Sequence, residues 1–481
     1  MEENLQQRIV ILGAGLAGLA CAARLTELGY EDITVLEKEP HAGGLAVSID
    51  FKGHRSDLGP HRIHSEIDRV LDFLNEWVGG DLITTPRKSR MLHRNRFIKY
   101  PPGLKDAITH FGIINMTKFL FSWAATRIGR RIFPPDHRSF ESVMEFSFGE
   151  ALYREIIKPY AEKTWGIPAS DISEEVAGAR VSAGGLVEQA RRLFFEEKRG
   201  RETSLKEFLY TRGGIQTLSD TLKNKCSEKG VKFLFNREVT GIEKMENDAW
   251  KITASRPDGR ETEKEADACF STIPLPDLVR FLSEHTDSDE SLAAMAAVSE
   301  LKYLAMILIF PRIKKPLIGP DSWLYFPDRE IIFNRAYEAK NFDINLAPEK
   351  ETMICLEVTA HREDETWNKP DDEIAGRALS DLVKTGLVSE DEIIDADTRR
   401  LTHAYPIYSA NYRKRVETAF SFLREFPGLF TLGRQGLFHH NNMDHSIYEG
   451  LLAADYLHEK ERPAAAWYDD SGQFRKLRIV D

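Results

Sequence analysis

The chain has 481 residues, 42% hydrophobic and 29% charged, which excludes general disorder and calls for two or three domains rather than one core. With 65 basic against 76 acidic residues its net charge is −11, which argues against nucleic acid as a partner. Cys21, Cys226, Cys269 and Cys355 form no CxxC pair, so neither a zinc site nor a disulfide framework is expected, whereas a reducing, cytoplasmic setting is.

Met1 to Arg8 is polar and acidic and lacks a secretory pattern. Arg8–Leu12 is a β-branched run ending in a glycine, Leu16–Leu28 has helical apolar spacing, and Ile33–Leu36 predicts a second strand, giving a β-α-β unit. Arg90–Leu92 and Arg96–Lys99 read as hairpin strands closed by Pro101 and Pro102, and the pattern from Leu104 to Glu197 is mostly helical. Within it, Ile108–Ile128 comes nearest to a membrane span. His110, Lys118 and Arg127 interrupt it, so a partly buried helix is expected instead. A helix over Ile215–Lys229, a strand at Lys232–Phe235, a hairpin of Val239–Glu243 with Trp250–Ala254, and a strand at Ala268–Thr272 follow. Lys302–Phe310, Trp323–Phe326, Ile331–Asn334 and Met353–Thr359 predict a second sheet, and Asp364–Glu373 a solvated charged surface. Leu429–Leu432 predicts a strand and Ser446–Leu457 a helix.

Gly13-Ala14-Gly15-Leu16-Ala17-Gly18 is a GxGxxG between a strand and a helix. The first glycine permits the turn, the second lets backbone approach a pyrophosphate, and the third lets helix and strand pack closely. Glu37, followed by Lys38, closes the second strand 19 residues after Gly18, in position to take ribose hydroxyls. Gly43-Gly44-Leu45 follows in an E-x5-GG arrangement similar to the extended fingerprint of flavoproteins, which points to FAD rather than a nicotinamide cofactor. Val239 stands where such proteins touch adenine, and equally suits an ordinary core valine. Near the C-terminus, Gly433-Arg434 ends a strand and Met443, Asp444 and Ser446 lead into a helix whose N-terminus would favour an anionic reduced flavin. Asp444 and Ser446 equally suit a helix cap.

These two segments resemble the flavin amine oxidase and protoporphyrinogen oxidase superfamily, most of all its branch of UDP-galactopyranose mutase-like proteins. Asp57-Leu58-Gly59-Pro60-His61-Arg62 is similar to the mutase loop beside the flavin, and Tyr160 to Gly166 to the helix lining its substrate cleft; Asn334-Arg335 and Asn341-Phe342 fall in matching order. The resemblance implies an α/β chain (α+β overall): a Rossmann-like FAD-binding domain, a mixed-sheet substrate domain and a helical insertion. The expected boundaries are 1–85 with 205–300 and 396–462 for the first, 86–102 with 301–395 for the second, 103–204 for the third, and a tail over 463–481. Where mutases carry a further arginine this chain has Ala183 and Gly184, and His440 and Asn441 replace their paired aromatics, so only part of a sugar-diphosphate clamp is present.

The expected activity is therefore that of an FAD-dependent oxidoreductase passing hydride between a small-molecule substrate and flavin N5. That substrate could be phosphorylated, a nucleotide sugar or isoprenoid-like. The alternative is a mutase-like isomerase using reduced FAD as a nucleophile. His61 is the foremost catalytic candidate, beside Pro60, with Tyr160, Arg335, Tyr405 and His440 as further candidates. His439, His440 and His445 lack partners at metal-ligand spacing, and no metal is expected. Lys118, Arg127, Arg130 and Arg131 form a local basic patch, which leaves peripheral contact with a membrane or a lipid-linked substrate open. Oligomeric state is not legible.

Overall fold

The computed structural model describes residues 5–100, 102–133, 139–180, 207–459 and 464–477. Pro101, Ala183, Gly184, the rest of the insertion from 181 to 204, and both ends of the expected tail lie outside them.

Strand β1 (Ile9–Leu12), helix α1 (Leu16–Glu27) and strand β2 (Ile33–Leu36) form the expected N-terminal unit. All residues of both strands are buried, as befits central strands of a parallel sheet covered on two faces. The sheet has five parallel strands in the order Leu429–Thr431, Ala268–Ser271, β1, β2, Lys232–Leu234, drawn from widely separated stretches of chain. The hairpin Glu238–Lys244 with Trp250–Ser255 extends to a third antiparallel strand, Glu261–Ala266, that the charged sequence ETEKEA conceals.

A second, seven-stranded sheet runs in the order Ile393–Pro406, Tyr303–Ile313, Thr352–Ala360, Arg335–Glu338, Trp323–Tyr325, Ser89–His93, Arg96–Lys99, antiparallel except where Trp323–Tyr325 meets Ser89–His93. The hairpin Ser89–His93/Arg96–Lys99 turns at Arg94 and Asn95, both at positive φ, and not at the prolines, which come after it. Ile331–Asn334 is not a strand; the fourth member of the sheet is Arg335–Glu338. The charged stretch after Asp364 forms a short helix, Glu365–Asn368, and then the first turn of Asp371–Lys384, where three acids face the positive end of the helix dipole.

Ile393–Pro406 is unmarked by sequence periodicity because it is an edge strand. Most of its residues are only half-buried, and two register irregularities interrupt its pairing with the buried strand Tyr303–Ile313. The insertion is built on Leu104–Ile132, broken at Gly112, with Phe140–Phe148 and the run from Glu150 to Trp165 packed beside it. Among the described residues no helix is long and apolar enough to cross a membrane.

Candidate active site

Leu12 ends β1, and Gly13 turns the chain at φ +101°, where a Cβ would also lie 2.1 Å from the Thr272 hydroxyl. Gly15 is the N-cap of α1 and offers no side chain to its first turn, so the N–H groups there face outward uncapped. A Cβ on Gly18 would sit 2.1 Å from the Gly13 carbonyl oxygen, so only glycine lets α1 lie this close to the loop. The second glycine loop is hydrogen-bonded onto the first: the Gly43 amide donates to the Ala14 carbonyl at 2.8 Å, and a Cβ on Gly44 would lie 3.1 Å from the Gly15 Cα. Leu16 and Ala17 are buried, Leu45 is half-buried and Lys38 is exposed. Together these residues expose a strip of bare backbone at a helix N-terminus.

Glu37 is buried and holds this loop directly. Its Oε2 accepts from the Ala14 amide at 2.7 Å and its Oε1 from the Glu39 amide at 2.9 Å. Burial pushes its carboxyl above the usual range, and these two amides oppose the shift. The carboxylate read from sequence as a ribose ligand fixes the turn through these two bonds. Val239 is half-buried against the core, two residues beyond Arg237, whose amide donates to the Glu37 carbonyl at 2.8 Å.

The C-terminal segment closes against the same helix. A Cβ on Gly433 would lie 3.1 Å from the Ala17 Cβ, and one on Gly450, in the helix Met443–His458, 2.2 Å from the Ala17 carbonyl oxygen. Sequence reasoning missed what organises this segment: the fully buried Glu449. It accepts from the Gly433 amide (3.1 Å), from His439 Nδ1 (2.9 Å) and from Asn441 Nδ2 (3.1 and 3.2 Å). A lone carboxylate inside the apolar run IYEGLLAA was the available signal. Neither Asp444 nor Ser446 caps the helix. Asn442 is the N-cap, without a side-chain bond, and Ser446 instead accepts from Asn441 Nδ2 at 3.1 Å. Asp444 is buried beside Ser65 with its Oδ1 unbonded, and burial raises its carboxyl; Met443 is half-buried against the core.

Arg434 joins this region to a second cluster. Its guanidinium donates to the Ala404 and Asn441 carbonyls (3.0 and 2.7 Å) and lies 4.8 Å from the centre of the Tyr405 ring. His440 meets Tyr405 edge-on at 5.1 Å and Trp165 at 5.6 Å, while its amide donates to the Tyr408 hydroxyl at 2.7 Å. Tyr160 and Trp165, on the helix Lys158–Trp165, do point to different neighbours: Tyr160 meets Tyr325 edge-on at 5.6 Å.

Arg335 places both Nε and a terminal nitrogen 2.8 Å from Oε2 of buried Glu357. Burial opposes its charge, but Glu357, followed by Tyr405 and Tyr160, holds it well above its ordinary value. The other Glu357 oxygen is buried without a hydrogen bond, beneath Gly59. His61 follows Gly59 and the half-buried Pro60, with Nδ1 buried and unbonded; burial, then Arg434 and Arg335, hold its imidazole down to about 3. Burial and the charges of these two arginines all favour its neutral form. Below the loop, fully buried Asp57 accepts from Ser48 (2.7 Å), Tyr210 (2.7 Å) and the Ile215 amide (3.1 Å), a second hub that sequence reasoning missed. His439 is engaged with Glu449, and among the described residues no group of three or more His, Cys, Asp or Glu is placed to hold a metal.

The sequence model of the family described as flavin containing amine oxidoreductase matches residues 16–458. The chain is 22% identical over 489 residues to protoporphyrinogen oxidase 2, chloroplastic/mitochondrial, of Arabidopsis thaliana, covering 93% of each chain. It is 24% identical over 499 residues to the mitochondrial protoporphyrinogen oxidase of Nicotiana tabacum, covering 93% of this chain and 94% of that one. Among solved structures, reduced UDP-galactopyranose mutase superposes with a TM-score of 0.81 at 23% identity, over 99% of this chain and 98% of the other.

Proposed function

The chain belongs to the family of flavin containing amine oxidoreductases and is an FAD-dependent enzyme, and from this we propose a hydride-transferring oxidoreductase acting on a small anionic substrate. FAD supplies a hydride acceptor at N5 when bound. We place it on the domain of the five-stranded parallel sheet, facing the domain of the seven-stranded sheet, with the insertion at the cleft; the expected boundary at 396 shifts, because Ile393–Pro406 pairs with Tyr303–Ile313 in the second sheet.

The residues present fit the cofactor. The bare backbone of Gly13 to Gly18 against Gly43 and Gly44 would take the diphosphate, with Glu37 and Val239 toward the adenosine end. Gly433, Arg434, Met443, Asp444 and Ser446 would face the other end. The observation that carries this reading is the continuity through Gly433 and Arg434, since one residue abuts α1 and the next reaches the His61–Arg335–Tyr405 cluster.

Within that cluster the two arginines differ. Glu357 already balances Arg335, whereas Arg434 is held by neutral carbonyls and by a ring face. A guanidinium with no directly paired carboxylate supports a phosphate or carboxylate on the substrate, with the Glu449 charge behind Asn441 offsetting part of its field. Tyr160, Tyr405 and His440 would wall the reacting carbon off from water. His61, neutral, would donate or accept one hydrogen bond without carrying charge.

The test is anaerobic mixing of the holoenzyme with amines, porphyrinogens, polyprenyl phosphates and nucleotide sugars. One class should bleach the flavin in a single turnover and consume an acceptor in step with product. Turnover only after chemical reduction, with no acceptor consumed, would replace this reading with the mutase-like isomerase.

A further inference from the structure

Nine of the thirteen exposed large hydrophobic side chains among the described residues fall between Tyr100 and Phe133, so they are not the usual scatter of surface apolar groups. Six of them, Ile113, Ile114, Leu120, Phe121, Ile128 and Ile132, are 61–84% exposed and recur at steps of seven, eight and four. They form one stripe along the helix Leu104–Ile132, about 30 Å long beyond the break at Gly112. The opposite face needs no further partner, because Phe111, Met116 and Phe119 pack there against Met91, Ile98 and Ile156. The helix is thus apolar on two sides, one turned into the protein and one turned out.

Its charge runs against that of the whole chain. Between 104 and 133 stand Lys105, Lys118, Arg127, Arg130 and Arg131 against one acid, Asp106, in a protein of net charge −11. Arg127 lies over the rings of Trp123 and Phe146, and Arg130 pairs with Glu145. Lys118 and Arg131 are exposed beside the stripe, Lys118 four residues from Ile114 and Arg131 three from Ile128.

We propose that this face docks on the surface of a bilayer carrying anionic lipid, with the stripe at the level of the acyl chains and the cations among the headgroups. A helix of this kind lies in the interface and does not span it. A second copy of the chain fits less well. A two-fold contact through this stripe would bring the same cations face to face, with no acid within the stripe to pair them.

The test uses the full-length holoprotein and vesicles of phosphatidylcholine with or without about 30% phosphatidylglycerol. The protein should sediment with the anionic vesicles, and about 0.5 M salt should weaken binding roughly tenfold by screening. The variant Ile114→Ser/Phe121→Ser should lose at least about tenfold of the binding, and Lys118→Glu/Arg131→Glu should lose the preference for anionic lipid. All four side chains are exposed, so flavin content and melting temperature should stay as in the unaltered protein. Those two readouts also separate failure here from failure of the redox reading. Wild-type protein left in the supernatant, or a serine variant that binds as wild type does, overturns the proposal. So does a wild-type dimer that the serine variant dissolves while vesicles leave the wild type unbound.

Discussion

Replacing Gly15 with valine separates cofactor retention from folding, because the three glycines of the first loop meet different surroundings. Gly15 has φ −70°, open to any residue, and a Cβ there would meet nothing nearer than the Gly44 Cα at 3.9 Å, an ordinary contact. Loss of a glycine N-cap costs about 1 kcal/mol, which in a chain this long shifts Tm by about 2 °C. The valine methyls would instead occupy the strip where α1 presents its first N–H groups. Two charge-assisted hydrogen bonds at about 1.5–3 kcal/mol each would be lost, together weakening FAD binding by about 100- to 10,000-fold. Gly18→Ala is the contrasting variant: its Cβ would lie 2.1 Å from the Gly13 carbonyl oxygen, so stability and flavin should fall together. The assay is the ratio of visible flavin to protein absorbance after reconstitution, alongside the melting temperature. A Gly15→Val protein that folds and carries a full complement of FAD would refute the placement of the diphosphate.

Glu449→Ala leaves three buried donors, on Gly433, His439 and Asn441, without their acceptor, and should cost about 3 kcal/mol or more by denaturant titration, with a much smaller loss for Glu449→Gln. Arg335→Met strands the buried Glu357 carboxylate and should destabilise by about 3 kcal/mol; adding Glu357→Leu should restore stability but not flavin reduction by substrate. His61→Ala should keep FAD and slow flavin reduction. Since the His61 imidazole is held down to about 3, the wild-type rate should show no titration of this residue between about pH 5 and 8, and an inflection that vanishes in the variant would contradict this. Burial holds Asp57 up to about 6 against its ordinary 3.8, so the native state keeps a proton that the unfolded chain has lost between those values. Stability should therefore fall as pH rises from about 4 to 6, by at most about 3 kcal/mol from this group, and Asp57→Asn should remove that slope in urea titrations across the range.

Local pattern was enough for β1, α1 and β2, and for the glycine loop between them. There the turn, the helix start and the strand burial are all decided within about thirty residues, by glycine's freedom and by apolar runs. It sufficed as well for the helix near Ser446, which begins three residues earlier than its apolar spacing indicates. The same pattern placed a strand one step early, at Ile331–Asn334, because side-chain apolarity does not say which residues find a hydrogen-bonding neighbour. The edge strand Ile393–Pro406 was invisible for a related reason, its pairing being supplied by a partner some 90 residues away in sequence, Tyr303–Ile313.

The site divides along the same line. Residue types together with the family resemblance marked His61, Arg335, Tyr405, His440 and Arg434 as candidates, but nothing local relates position 61 to 335 or 434. The burial that disfavours a charged His61, and the two arginines whose charges act on it, exist only once three distant segments meet. Glu449, Glu357 and Asp57 are further from reach still. Each carboxylate matters because folding removes water from around it and leaves amides, hydroxyls or a guanidinium as its partners, and that desolvation belongs to the packed structure and not to any stretch of sequence.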